Sequence, residues 1–132
     1  LRRRKGRKNK MINFLAVGAG GFIGAALRYG VCLFMVSRAG LHNAWGTFCV
    51  NFIGCLLIGF LAGFEFKNIQ PLKYFLIAGL LGGFTTFSAF SLDALMLLKD
   101  GEIFKALLYI LSTLLVCMAA VFAGFSAFKL VN

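Results

Sequence analysis

The stretch that most constrains the fold is Gly79–Ser91, which lies within an apolar run from Tyr74 to about Leu98. A run of that length is sufficient for a membrane span, which needs about 20 predominantly apolar residues. Its core, Gly-Gly-Phe-Thr-Thr at residues 82–86, makes a poor continuous helix, because Gly costs roughly 1 kcal/mol against Ala and Thr is stiff at χ1. We therefore expect a broken helix here. Unwound backbone in a membrane is a candidate ion or substrate site.

The composition indicates an integral membrane protein. The chain is 61% hydrophobic and 14% charged, and its mean hydropathy is +0.90, which is far above an ordinary globular composition. Its 132 residues leave room for about four spans with short loops. The predicted fold is all-α, with four transmembrane helices at about residues 12–36, 44–64, 74–98 and 103–128 and with the third helix broken mid-membrane.

The first ten residues form a basic tail, with seven basic residues and no acidic one. Such a run could be a solvated, disordered tail, a ligand for lipid headgroups or a determinant of topology. It could also be a non-native extension, because Met11 begins a segment that leads directly into the first span. Residues 11–132 then form a single transmembrane domain. Nucleic-acid binding is not expected, since no basic face elsewhere in the chain joins the tail.

The loop charges decide the predicted topology. Without the tail, the loops on the two sides of the membrane carry three basic residues each. The positive-inside rule then has no bias to act on, so that the chain could insert both ways and pair antiparallel with itself. When the tail is counted, the ratio is ten to three, which would place the N-terminus in the cytoplasm.

Two polar residues within the first two spans have alternative interpretations. Arg28 lies well inside the first span. It could extend its guanidinium to the membrane interface, or it could attract anions at a water-filled vestibule. Asn51 lies near the middle of the second span, four residues after Thr47 and on the same helical face. Its amide could bond to another helix, or it could donate to a passing solute.

Tyr109, Thr113 and Cys117 follow one another at four-residue steps in the fourth span. These groups are either a polar contact between helices or a track for a hydrophilic solute. The four cysteines lie within spans and lack CxxC spacing, which makes metal or redox motifs a weak interpretation. His42 is interpreted as an interfacial loop residue. The sequence shows no Ser/His/Asp triad, phosphate loop or useful carboxylate pair, so an enzyme is not indicated.

Three blocks together carry a family resemblance: Gly20–Tyr29, Gly46–Gly54 and Gly82–Ser91. In their order, spacing and four spans they resemble the signature blocks of the Fluc (CrcB) fluoride channels, over the whole chain from Met11. The resemblance implies an antiparallel, dual-topology homodimer in the cell inner membrane. It also implies two fluoride pores and a central structural sodium ion at the dimer interface. The expected function is passive, fluoride-selective export that relieves fluoride toxicity.

The resemblance also implies a role for particular residues. The backbone carbonyls of Gly82 and Thr85 would hold sodium, and the ring edges of Phe87 and Phe90 would meet fluoride. The remaining implied pathway residues are Asn51 and Ser88 as hydrogen-bond donors, Thr47 beside them, Tyr109 and Thr113 on a polar track, and Arg28 at the vestibule. Cys117 stands where Ser is expected at the last step of the track, and Ala89 where Ser or Thr is frequent.

Two other functions compete with the channel. A proton-coupled, dual-topology small multidrug exporter would need a membrane-embedded carboxylate in its first span. The first span has none, and Asp93 lies near the end of the third. A purely structural membrane subunit would use its polar stripes only for helix contacts, and it would leave the break without a purpose. The expected partners are therefore fluoride, a second copy of the chain and the lipid bilayer, with no nucleic acid.

Overall fold

The computed structural model describes residues 2–38, 40, 42–67 and 69–131, and the side chains of residues 2–8 are outside that description. The helices are α1 (Arg2–Ser37), α2 (Asn43–Ala62), α3 (Gln70–Lys73), a π-helix (Tyr74–Leu81), α4 (Gly82–Phe84), α5 (Phe87–Lys99) and α6 (Ile103–Val131). Four segments are long and apolar enough to cross a membrane: Asn9–Ser37, Asn43–Ala62, Gln70–Lys99 and Ile103–Val131. The predicted all-helical, four-span architecture is confirmed, and the chain is a multi-pass membrane protein.

The described part of the basic tail is helical and continuous with α1, which begins at Arg2. In the loop between α1 and α2, His42 precedes α2, and its Nδ1 accepts a hydrogen bond from the Ala44 amide at 3.2 Å. This contact satisfies one of the free amides of the helix N-terminus, which is a structural role for His42 in its loop.

The third segment differs in detail from the sequence expectation. Gly82 and Gly83 remain helical within α4, and the backbone is extended only at Thr85 and Thr86. A π-helix, Tyr74–Leu81, precedes the extended pair, and nothing in the sequence pattern predicted it. The weak helix propensity of adjacent glycines is overridden by packing, because Gly83 lies against α1.

Glycine contacts join α1 to the third segment. A Cβ atom on Gly24 would collide with the Leu80 carbonyl and would lie 2.8 Å from the Phe84 nitrogen. A Cβ atom on Gly83 would lie 3.0 Å from the Gly21 Cα. The two backbones therefore touch directly, which is how small residues allow transmembrane helices to pack. This contact brings Arg28, one turn further along α1, to the end of α4.

Helices α2 and α6 run parallel and in a fixed register. Thr47 lies beside Tyr109, Cys55 beside Cys117, and Gly59 against the Val121 backbone. The offset along the chain is the same in each pair (109 minus 47, 117 minus 55, 121 minus 59). Parallel packing is expected of the second and fourth spans of a chain that crosses the membrane four times. The register places Asn51 opposite Thr113.

We expect Gly24→Ala to weaken the α1 contact, because the added methyl group meets backbone atoms that cannot rotate away. Overpacking of this kind costs typically about 1–3 kcal/mol. Gly18→Ala is the matched control, since a Cβ there has no neighbour within 4 Å. The measurement is the thermal unfolding midpoint of each purified variant in the same detergent. Equal midpoints for the two variants would contradict this packing.

Candidate functional site

The site is built around two extended residues inside the third segment. Thr85 has φ −84° and ψ 155°, and Thr86 has φ −154° and ψ 122°, whereas α5 resumes at Phe87. Two extended residues between helices deprive several backbone groups of their helical partners. The predicted break is therefore present in the helix, and its backbone hydrogen bonds must be satisfied by other groups.

Asn51 satisfies the backbone of Thr86 in both directions. Its Nδ2 donates to the Thr86 carbonyl oxygen at 3.0 Å, and the Thr86 amide donates to its Oδ1 at 2.8 Å. The Asn51 side chain is buried, with 9% of the residue exposed. Of the two interpretations of Asn51, the bond to another segment is the one that the structure displays. One N–H of the Asn51 amide remains beyond the bond to Thr86.

At the break, two backbone amides that would bond to carbonyls in a continuous helix bond to side chains instead. In a continuous helix, the Thr86 amide would bond to the Gly82 carbonyl and the Ala89 amide to the Thr85 carbonyl. Instead, the Thr86 amide donates to Asn51, and the Ala89 amide donates to Thr86 Oγ1 at 3.2 Å. The carbonyls of Gly82 and Thr85 are therefore deprived of their regular helical donors. These are the two carbonyls that the family resemblance assigns to sodium.

Arg28 binds the break directly. Its Nε donates to the Gly83 carbonyl oxygen at 3.2 Å, in a partly buried contact between α1 and α4. A guanidinium that extended to the membrane interface would not make this bond. Arg28 thus places a positive charge beside the break.

The two phenylalanines after the break are in different environments. Phe87 is 73% exposed, whereas Phe90 is 6% exposed. Their ring centroids are 5.4 Å apart, and the Phe90 centroid is 5.3 Å from that of Tyr109 on α6. Three rings therefore form a continuous row from the exposed surface of α5 to the α2–α6 interface. Ring edges in such a row carry partial positive charge.

Ser88 lies beside this row on the exposed side of α5. Its hydroxyl is 3.1 Å from Thr86 Oγ1, so the two hydroxyls share a hydrogen bond. On the same surface, the Ser91 hydroxyl donates to the Phe87 carbonyl at 2.9 Å. The predicted donor Ser88 is thus next to both the break and the ring of Phe87.

Asp93 is a buried polar residue to which the sequence reasoning gave no role in the site. It is 5% exposed, and both of its carboxylate oxygens accept hydrogen bonds from α2. Thr47 Oγ1 donates to Oδ2 at 2.6 Å, and Asn43 Nδ2 donates to Oδ1 at 3.0 Å. Thr47 was predicted to lie on the pathway, but its hydroxyl proton is used by Asp93. The signal that could have located Asp93 is an acidic residue inside an otherwise apolar run.

Tyr109 and Thr113 lack partners for their buried hydroxyl groups. Neither hydroxyl has a hydrogen-bond partner among the described residues, although the Tyr109 hydroxyl lies toward Thr47 and Asp93. A polar contact between helices would require these hydroxyls to bond across the interface. Buried hydroxyls without partners are uncommon and costly. The Thr113 hydroxyl therefore has no protein partner among the described residues, whereas the Tyr109 hydroxyl faces Asp93 and Thr47 on neighbouring helices.

The sequence of the chain matches a known protein family. The family model described as "CrcB-like protein, Camphor Resistance (CrcB)" matches residues 15–125. The chain belongs to the CrcB family. This membership confirms the resemblance carried by the three sequence blocks.

Curated relatives share most of the chain. A protein of Rhizobium meliloti (strain 1021) is 48% identical over 122 residues, which cover 90% of this chain and 98% of the relative. A protein of Agrobacterium fabrum is 44% identical over 117 residues, covering 86% and 94%. One of Paracoccus denitrificans is 46% identical over 112 residues, covering 84% and 90%. Each relative is named "Fluoride-specific ion channel FluC".

We expect Asn51→Asp to destabilise the protein, because the carboxylate cannot donate to the Thr86 carbonyl and sets a negative charge against it. Leaving a buried group unpaired costs about 1–3 kcal/mol, and more where a charge is involved. Asn13→Asp is the control, since Asn13 on α1 lies outside the break. Thermal unfolding in detergent measures both variants. A midpoint for Asn51→Asp equal to that of Asn13→Asp would contradict the structural role of Asn51.

Proposed function

We propose that this protein is a passive, fluoride-selective ion channel that exports fluoride across the cytoplasmic (inner) membrane and relieves fluoride toxicity. The observation that carries the proposal is the row of Phe87, Phe90 and Tyr109, which runs from the helix break to a buried stripe of unpaired hydroxyls. The names of the relatives support fluoride as the transported ion. The function is transport rather than catalysis.

Fluoride suits the groups in this row because it is small and strongly hydrated. A pore must replace the water that fluoride loses with hydrogen-bond donors. The positive edges of the three rings are such donors, and the groups near them add the Ser88 and Thr113 hydroxyls and the second Asn51 N–H. A ring edge is a weak donor, which allows the ion to leave as well as to enter. Arg28 adds a positive charge beside the break. A narrow pore of this type would exclude the larger chloride ion.

Antiparallel pairing of two copies would complete the site, with the break at mid-membrane depth. The exposed ring of Phe87 has few neighbours within one chain, although a pore residue should be enclosed. The break of one chain provides the Gly82 and Thr85 carbonyls, whereas hard cations such as sodium need more oxygen ligands than two. A second copy related by a two-fold axis would provide the same two carbonyls again. The proposed assembly is therefore an antiparallel homodimer with a structural sodium ion between the two breaks.

The carbonyls fit such an ion because their regular helical donors are redirected to Asn51 and Thr86. When bound, the cation would neutralise the partial negative charges of carbonyls at two helix ends. Its role would be to hold the two chains in register rather than to move. The residues that would hold it are Gly82 and Thr85, through backbone oxygens that no side-chain substitution removes.

Asp93 supports one alternative, a proton-coupled small multidrug exporter of the four-helix, dual-topology type. It is a buried carboxylate within a membrane-length segment, which is the group that proton coupling requires. However, both carboxylate oxygens accept hydrogen bonds from Asn43 and Thr47. Those bonds occupy both oxygens and make Asp93 a contact between α2 and α5. The channel therefore accounts for more of the site than the exporter does.

Fluoride efflux from liposomes tests the channel against the exporter. Vesicles loaded with potassium fluoride are diluted into fluoride-free buffer, and a fluoride electrode follows the external concentration. A passive channel carries net charge, so efflux should remain small until valinomycin allows potassium to follow. A proton-coupled exporter of cationic drugs would release no fluoride, with or without valinomycin. Chloride-loaded vesicles are the selectivity control, and chloride efflux at the fluoride rate would contradict the proposal.

We expect Phe87→Ile to reduce valinomycin-dependent fluoride efflux about two- to tenfold, because an aromatic contact worth about 0.5–1.5 kcal/mol is lost in the pathway. Phe104→Ile is the matched control. Phe104 is also exposed, at 79%, but it lies at the start of α6. The same vesicle assay measures both variants at equal protein content. Loss of efflux in Phe104→Ile, or full efflux in Phe87→Ile, would contradict the placement of the pathway.

We expect sodium to stabilise the purified protein and potassium at the same concentration to do so less. Binding to the folded dimer alone should add about 2.7 kcal/mol at a hundredfold excess over the dissociation constant. The measurement is the unfolding midpoint after purification in N-methyl-D-glucamine buffer, followed by titration with either salt. Identical midpoints in the two salts across the titration would contradict a sodium site.

A further inference from the structure

Cys55 and Cys117 form a thiol pair at the end of the hydroxyl stripe. The parallel register of α2 and α6 places them opposite each other, one turn beyond Asn51 and Thr113 and one turn before Gly59 and Val121. The same register makes their side chains neighbours across the two helices. Both are free cysteines of intermediate exposure. The two thiols are thus not bridged, and the contact of Gly59 with the Val121 backbone fixes the register that brings them together.

The other two cysteines provide an internal comparison. Cys32 lies on α1 against Gly46, and a Cβ atom on Gly46 would be 2.9 Å from the Cys32 Cα. Cys49 lies on α2, two residues from Thr47 and therefore on a different face from Cys55. Cys32 and Cys49 are also free and of intermediate exposure. Neither of them belongs to the α2 residues that face the α6 stripe, which are Thr47, Asn51 and Cys55.

We propose that Cys55 and Cys117 form a two-coordinate binding site for a soft, thiophilic cation, and that its occupancy blocks the stripe. Soft thiolate ligands select soft metal ions. A dipositive cation such as Hg²⁺ would form two metal–sulfur bonds and release two protons to water, since the thiolate is the ligand. The product, two thiolates on one dipositive ion, has no net charge. A neutral product suits an apolar site in a membrane-length helix pair, where a net charge would be costly.

The effect on transport follows from position and rests on the proposed function. The unpaired Thr113 hydroxyl lies one turn from Cys117 on the same face of α6. An ion moving along Tyr109 and Thr113 must pass the thiol pair if the track continues in the same direction. A metal bridge between α2 and α6 would occupy that point and would also fix the two helices to each other. Binding itself does not depend on what the protein transports.

Binding is tested first, without any transport measurement. Purified protein in detergent receives one equivalent of Hg²⁺, is alkylated with N-ethylmaleimide while folded, and is then mapped by peptide mass spectrometry. We expect Cys55 and Cys117 to be protected from alkylation and Cys32 and Cys49 to be modified as in the metal-free sample. Protection of Cys32 and Cys49 instead, or of no pair, would overturn the site.

Variants then test the pair. In Cys117→Ser or Cys55→Ser, the remaining partner thiol should lose its protection by one equivalent of Hg²⁺. The double variant Cys32→Ser/Cys49→Ser is the matched control and should retain it. The alkylation map of the protein without substitutions tests the site by itself, so a poorly folded variant does not decide the result. Retained protection in either single variant would show that the two thiols do not act together.

Transport tests the block. In the valinomycin-dependent vesicle assay, one equivalent of Hg²⁺ should reduce fluoride efflux by tenfold or more, and dithiothreitol should restore it. The Cys32→Ser/Cys49→Ser variant should be inhibited equally, whereas Cys117→Ser should be inhibited less than twofold relative to its own metal-free rate. Equal inhibition of Cys117→Ser would overturn the block. If the unmodified protein moved no fluoride, the proposed function would fail, while the alkylation map would still decide the binding site.

Discussion

The structure depends on two hydrogen bonds between the Asn51 amide and the backbone of Thr86. A side-chain amide carries an acceptor and a donor side by side, so it can bond both the amide and the carbonyl of the same residue. Unpaired backbone groups in hydrocarbon cost several kcal/mol each. Without Asn51, the amide and the carbonyl of Thr86 would lose the partners that they have in this structure. The break therefore persists because α2 presents an amide to it.

Once Asn51 holds the break open, the other features of the site follow from the same redirection of hydrogen bonds. The carbonyls of Gly82 and Thr85 lose their regular donors. Thr86 Oγ1 caps α5 through the Ala89 amide, which starts the helix that presents Phe87 and Ser88. The break, the cap and the aromatic row are thus consequences of one change in backbone pairing rather than independent features.

Close packing of α1 against the third segment is the second requirement. Gly24 allows the α1 backbone to approach Leu80 and Phe84, and this approach delivers the Arg28 guanidinium to the Gly83 carbonyl. A larger residue at Gly24 would move the charge away from the break. The glycines of α1 therefore act on the electrostatics of the site although they carry no polar group.

The sequence predicted the features that depend on local pattern. Apolar runs located the four spans, and the Gly-Gly-Phe-Thr-Thr motif located the break to within a few residues. The π-helix before the break and the helical state of Gly82 and Gly83 were missed, because both depend on packing against α1 that no local propensity describes. Asp93 was missed for a similar reason. Its burial depends on Asn43 and Thr47, which lie 50 and 46 residues away in the chain.

Hydrogen exchange of the Thr86 amide tests the central claim most directly. The measurement compares the unmodified protein with Asn51→Ala in bicelles, with single-amide resolution by NMR. The account predicts that the Thr86 amide of the unmodified protein exchanges as slowly as amides inside α5, and about 100-fold faster in Asn51→Ala while the interior of α2 remains protected. An equal Thr86 exchange rate in the two folded proteins would contradict the claim that Asn51 holds the break.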